Sequence, residues 1–98
     1  MAVLTPKQRQ YLKGLAHPLS PIVRVGKGGL TDNVVAERKK ALASHELIKV
    51  RIEVDDSAAR GDLATRLVDA TEAHLVGTIG KIAMLYRERE EEPQIALP

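Results

Sequence analysis

Leu47-Ile48-Lys49-Val50-Arg51-Ile52-Glu53-Val54 is the stretch whose reading decides the fold. Ile48, Val50, Ile52 and Val54 alternate with Leu47, Lys49, Arg51 and Glu53, the period of two that marks a strand with one buried face. The alternation predicts a strand over 47–54 whose other face turns Lys49 and Arg51 toward solvent. Upstream, Thr31 or Asp32 can cap a helix in which Val34, Val35, Ala41 and Leu42 form the apolar stripe, with Glu37, Arg38, Lys39 and Lys40 crowding its middle and Glu37 three residues from Lys40. Before it, Ile22-Val23-Arg24-Val25 is a short β-branched strand. Earlier still, Thr5, Pro6 and Gln8 make a capping box with proline at the first helical position, and Tyr11, Leu12 and Leu15 share one face of the helix that follows. Gly14 and His17-Pro18 end that helix.

Downstream of the central strand, Asp55-Asp56-Ser57 caps a third helix carrying Leu63, Ala64, Leu67, Val68 and Thr71 at helical spacing. Leu75–Ile79 and Ile82–Tyr86 then form a hairpin about Gly80-Lys81. The order α-β-α-β-α-β-β implies an α/β fold, a single compact domain with a four-stranded mixed sheet and three helices. Residues 1–88 are expected to form the domain. Residues 89–98, after Arg87-Glu88-Arg89-Glu90-Glu91-Glu92-Pro93, are expected to be a charged, flexible tail.

Composition narrows the function classes. The chain has 98 residues, 44% hydrophobic and 29% charged, enough for one core. No apolar run approaches the ~20 residues of a membrane span, and Met1-Ala2-Val3-Leu4-Thr5-Pro6 lacks the apolar stretch of a signal peptide, so a cytoplasmic setting is expected. The absence of cysteine excludes disulfides and thiolate chemistry. Tyr11 and Tyr86 are the only aromatics, which argues against reading bases by stacking them on a sheet. Nothing in the apolar pattern calls for more than a monomer.

Charge is divided along the chain. Residues 1–51 hold ten Lys/Arg against three Asp/Glu, a net of +7, and residues 52–98 hold five against ten, a net of −5. Clustered cations suit a polyanion; the plainer alternative is a solvated surface that balances on folding. Gly26-Lys27-Gly28-Gly29 lies between a strand and a helix, where glycine admits close approach of a ligand and the helix start offers unpaired N–H groups to phosphate. The plainer alternative is a turn. The spacing fits neither a triphosphate loop nor a dinucleotide fingerprint, since Lys27 precedes glycine and position 31 is Thr31. A G-x-x-G clamp on a nucleic-acid backbone needs only what is present.

Enzyme signals are weak. His17, His45 and His74 fall in separate turns without metal spacing, and Asp55-Asp56 reads as a helix cap. No cofactor, metal or small-molecule substrate is expected.

Several blocks taken together carry a resemblance. Leu4-Thr5-Pro6-Lys7-Gln8, Leu12-Lys13-Gly14-Leu15-Ala16-His17-Pro18-Leu19, Val25-Gly26-Lys27-Gly28-Gly29-Leu30-Thr31, His45-Glu46-Leu47-Ile48-Lys49-Val50 and Ile79-Gly80-Lys81 with Leu85-Tyr86-Arg87 closely resemble the CRM domain, the chloroplast RNA splicing and ribosome maturation family, over residues 4–87. The length resembles its single-domain bacterial YhbY-like members. The resemblance implies an RNA-binding domain similar in shape to the C-terminal domain of translation initiation factor three, and association with precursors of the large (50S) ribosomal subunit. It places the family's G-x-x-G loop on Gly26, Lys27, Gly28 and Gly29, and its basic surface on Lys7, Lys13, Lys49 and Arg51, to which the basic first helix adds Arg9. Two departures stand out: Glu72-Ala73-His74 lacks the glycine often found at the end of the third helix, and Gly77 replaces a larger polar residue. A non-catalytic RNA-binding factor is the leading expectation. The rival is a protein–protein adaptor that uses the acidic stretch Glu88 to Glu92 to reach the ribosome through a protein partner.

Overall fold

A computed structural model of the chain describes residues 4–21, 23–26, 31–89 and 91–98. The elements run α1 (Pro6–Ala16), β1 (Val23–Val25), α2 (Asp32–His45), β2 (Leu47–Ile52), α3 (Ser57–Thr71), β3 (His74–Ile79) and β4 (Ile82–Tyr86). The sheet order is β1-β2-β4-β3, with β1 parallel to β2 and the other pairs antiparallel. This is the expected element order and mixed sheet.

Local chemistry sets the helix starts. The Thr5 hydroxyl accepts from the Gln8 N–H at 3.1 Å while the Gln8 side chain accepts from the Thr5 N–H at 3.0 Å, closing the capping box. Thr31 caps α2 by accepting from Val34, and Asp56 caps α3 by accepting from Ala59. Gly80, at φ +57°, turns the hairpin.

Both faces of the sheet are covered, one completely and the other in part. Val25, Ile48, Val50, Ile52, Ala83 and Leu85 meet Leu42 of α2 with Ala64 and Leu67 of α3 on one face. On the other, Leu47, Val76, Met84 and Tyr86 meet Leu4 and, from α1, Leu12 and Ala16. Simple alternation predicts an open second face for β2; instead Leu47 and Ile48 are both buried, and Lys49 is half-buried, because α1 lies across that end. The strand also stops at Ile52, short of Val54. On α1, Leu12 and Ala16 face the sheet, so Tyr11 and Leu15 of the expected apolar face remain exposed. Glu37 pairs with Arg38 rather than Lys40. The Arg38 guanidinium, buried at 4% exposure, also donates to the Arg24 carbonyl, tying α2 to β1.

A single residue, Glu46, connects α2 to β2. It turns the chain at φ 61°, and its carboxylate is buried at 1% exposure. Burial opposes ionisation, but backbone N–H groups of Arg89 (3.0 Å), Gln94 (2.7 Å) and Ile95 (3.0 Å) donate to it, and together with the Arg89 charge they hold its pKa below the usual carboxyl range. The tail expected to be loose is thereby drawn back along the domain, where Ile95 and Leu97 pack on the α1 cluster and the Gln8 amide donates to the Pro98 carbonyl at 3.2 Å.

Two predictions follow from these junctions. Because the Glu46 pKa is lowered on folding, its contribution to stability is complete above the unfolded pKa of about 4.3 and disappears as pH falls through the folded value. Glu46→Gln should cost about 1–3 kcal/mol near neutral pH, and that deficit should shrink on acidification in urea unfolding curves; an equal deficit at all pH values would show that the charge is not the cause. Glu72 caps α3 in the left-handed region (φ 58°, ψ 37°), where a side chain is strained. Glu72→Gly should therefore raise stability by about 0.5–1 kcal/mol, read as a higher melting temperature, even though it removes a long, exposed 3.9 Å contact with Arg87.

Candidate nucleic-acid interface

The part of the sheet that α1 leaves open gathers the basic residues. In β2, Lys49 and Arg51 lie on the α1 face, and parallel pairing places Arg24 of β1 beside Arg51. Glu53 stands between the two arginines, with one carboxylate oxygen 3.3 Å from Arg24 Nη1 and 3.3 Å from Arg51 Nε. All three side chains are solvent-exposed, so the triad contributes little to stability, but it orients two guanidinium groups and keeps a net positive charge.

Alongside, a groove of about 360 Å³ separates α1 from the β3–β4 hairpin. Gln10, Lys13, Gly14 and His17 form the helix wall; Lys49, Thr78, Ile79 and Met84 form the sheet side. Among the described residues no carboxylate lines it. Lys7, Gln10, Gly14 and His17 follow i, i+3, i+7 and i+10 spacing, so the exposed Lys7 extends the same wall. Lys49 is partly committed: its ammonium donates to the His17 carbonyl at 3.1 Å and the Leu19 carbonyl at 2.9 Å, fixing the exit of α1 and leaving one donor over. Lys13 has no ion-pair partner among the described residues.

Gly26 is exposed and directly follows β1, at the end of the sheet where the Glu53 N–H donates to the Val25 carbonyl and the Ile52 N–H to the Lys81 carbonyl. The loop therefore begins beside Arg24, Arg51 and the hairpin tip. Lys27, Gly28 and Gly29 lie outside the described residues, so the clamp expected of them does too. At the hairpin tip, Lys81 pairs with Asp55 at 2.8 Å, and this hydrogen bond and charge lower the Asp55 pKa.

Lys7, Lys13, Lys49 and Arg51 thus share one face with Gly26 at its end, whereas Arg9 lies apart. Arg9 lines a separate cleft with Asp69, Glu72 and His74. Burial, and to a lesser degree the Arg9 charge, lowers the His74 pKa, and that imidazole stacks on Tyr86 with ring centroids 6.3 Å apart. His74 is the first residue of β3 and His45 the last of α2, so neither sits in a turn. Among the described residues no three His, Asp or Glu side chains are grouped to hold a metal, and no helix is long and apolar enough to cross a membrane.

Sequence reasoning omitted Arg24, Gln10 and His17 from the surface. Arg24 alternates with Val23 and Val25, which signals a face but not a neighbour, and only the strand register puts it beside Arg51.

Known proteins resemble the chain along its whole length. It is 47% identical to an "RNA-binding protein" of Haemophilus influenzae over all of this chain and 98% of that one. It is 43% identical to the Bacillus subtilis "Probable RNA-binding protein YqeI" over 98% of this chain and all of the other. The solution structure of a Staphylococcus aureus protein, 40% identical, superposes with a TM-score of 0.86 over 98% of this chain and 100% of that chain. The family model for the CRS1 / YhbY (CRM) domain matches residues 4–87, and the chain belongs to that family.

Proposed function

We propose that this chain is a non-catalytic RNA-binding protein that contacts ribosomal RNA on precursors of the large subunit. The observation that carries the reading is the open half-face of the sheet, where Arg24 and Arg51 share the Glu53 carboxylate beside the start of the Gly26–Gly29 loop and Lys13 and Lys49 line the adjoining groove. Backbone phosphates suit such a surface, because guanidinium and ammonium groups replace the condensed counterions of RNA. The loop would admit the ribose-phosphate chain against its own main chain, with Lys27 and the N–H groups at the start of α2 neutralising phosphate. With only two tyrosines in the chain, one of them buried, specificity would come from RNA shape and hydrogen bonding rather than from base stacking. The names of the relatives support RNA as the ligand; the link to large-subunit assembly rests on the family resemblance.

Filter binding of precursor ribosomal RNA across a salt series tests this. Affinity should fall steeply with salt, with a log–log slope of about 0.7–0.9 per neutralised phosphate. Arg51→Glu or Lys13→Glu should weaken binding and lower the slope by about one unit or more, whereas Arg9→Glu, on the other side of α1, should change either much less. Lys27→Ala with Gly28→Asp should weaken binding as well; unchanged affinity would remove the loop from the interface. In sucrose gradients, the wild type should sediment with large-subunit precursors at low salt and leave them at high salt. Charge neutralisation at the exposed Glu91 and Glu92 probes the adaptor reading better than deletion of the tail, because the partly buried Ile95 and Leu97 pack against the α1 cluster. If Glu91→Gln with Glu92→Gln abolished co-sedimentation while the loop variant retained it, a protein contact would replace RNA as the anchor.

A further inference from the structure

The groove between α1 and the β3–β4 hairpin has a composition that a purely electrostatic surface does not require. Its floor is apolar: Met84 is buried and Ile79, unusually for isoleucine, is 69% exposed at the rim. Gln10 and His17 stand on its helix wall, with Lys13 and Lys49 beside them. Its volume of about 360 Å³ lies within the range of small-ligand sites, roughly 300–1,000 Å³. We propose that this groove is a pocket for one unpaired nucleotide of the bound RNA, the base lying over Met84 and Ile79 and its phosphate on Lys13. The inference rests on the RNA-binding reading and adds to it a ligand conformation: a nucleotide out of the helix, since a paired base keeps its flat faces stacked inside the duplex.

Gly77 is the residue that makes the pocket usable. A Cβ at this position would stand 2.7 Å from Lys13 Cε and 3.3 Å from Met84 Cε. With only hydrogen there, the Lys13 stem lies down across β3 and its ammonium reaches the groove; with a side chain, the stem must lift away, which a flexible lysine does readily. Gly77 therefore acts as a positioning residue for Lys13. Its backbone is not among those with positive φ, and it adjoins the bulge between Leu75 and Gly77, so the fold itself does not demand glycine.

This separates function from structure in one substitution. Gly77→Thr places a β-branched residue in a strand and should leave the melting temperature unchanged or raised. Two RNA hairpins of equal length serve as probes, one with a perfect stem and one with a single bulged nucleotide. The wild type should prefer the bulged hairpin. Gly77→Thr, which keeps the lysine's charge, should lose roughly five- to tenfold in affinity for the bulged hairpin and much less for the perfect one, whereas Lys13→Met, which also removes a phosphate contact, should weaken both and the bulged one more. Equal wild-type affinity for both hairpins, or equal losses on both, would overturn the pocket while leaving RNA binding in place. Failure of the wild type to bind either hairpin or precursor RNA would overturn the RNA reading, and the pocket with it. As a second readout, amide signals of Gly14 and Gly77 should shift on titration with a nucleoside monophosphate; shifts that occur equally with inorganic phosphate would overturn a role for the base.

Discussion

One short helix has to serve a whole face of the sheet, and it cannot. Eleven residues of α1 span about 16 Å, enough to cover Leu47, Val76, Met84 and Tyr86 but not the carboxyl ends of β1 and β2 or the hairpin tip. The opposite face has two longer helices and is apolar from Val25 to Leu85. Side chains on the uncovered half must be solvated, so Arg24 and Arg51 occupy positions where the covered half has leucine and tyrosine. Because β1 and β2 are parallel, their carboxyl ends lie together on this same half, and Gly26 follows β1 there.

Glu46 acts at the other end of β2. A buried carboxylate is unfavourable unless its oxygens are satisfied, and here the tail's own backbone supplies three donors. The tail is held where α2 ends and β2 begins, some six residues of strand, about 20 Å, from the carboxyl end that carries Arg51 and leads to Glu53. The acidic residues Glu88, Glu91 and Glu92 are thus kept away from the cationic half-face. Holding those carboxylates apart from the half-face lowers the repulsion that a polyanion would otherwise meet there.

What was legible in the sequence was local. The Thr5–Gln8 box, the Asp56 cap and the Gly80 turn depend on residues within a few positions of one another, and each forms as its chemistry dictates. What depended on distant segments was not legible. Alternation in 47–54 shows that one face of β2 is buried, but it carries no information about which helix covers the other, so Lys49 reads as a free cation when it holds the exit of α1. Arg38, placed among Glu37, Lys39 and Lys40, reads as part of a solvated run; it is buried because β1 offers it the Arg24 carbonyl. The tail reads as loose because its charges are local, whereas the donors that bind Glu46 lie more than forty residues away from it in sequence. The basic residues of the candidate site were recognisable individually, but their grouping, and the exclusion of Arg9, required the fold.

Two positions break local rules, and they do so differently. Glu72 occupies a left-handed cap that favours glycine, on a surface cleft it shares with Asp69, Arg9 and His74, where its one ion-pair contact among the described residues is a long, exposed one with Arg87. Gly77 occupies a strand that favours a side chain, next to a bulge, and there the missing Cβ has a definite use, since Lys13 crosses the space it leaves. Violations of local preference that have a compensating contact tend to mark function, and those without one are simply tolerated. By that criterion Gly77 belongs to the cationic half-face although it carries no charge. The surface is then more than a field of positive potential: a glycine in β3 sets the position of a lysine on α1, and the helix that fails to cover the sheet becomes one wall of a site.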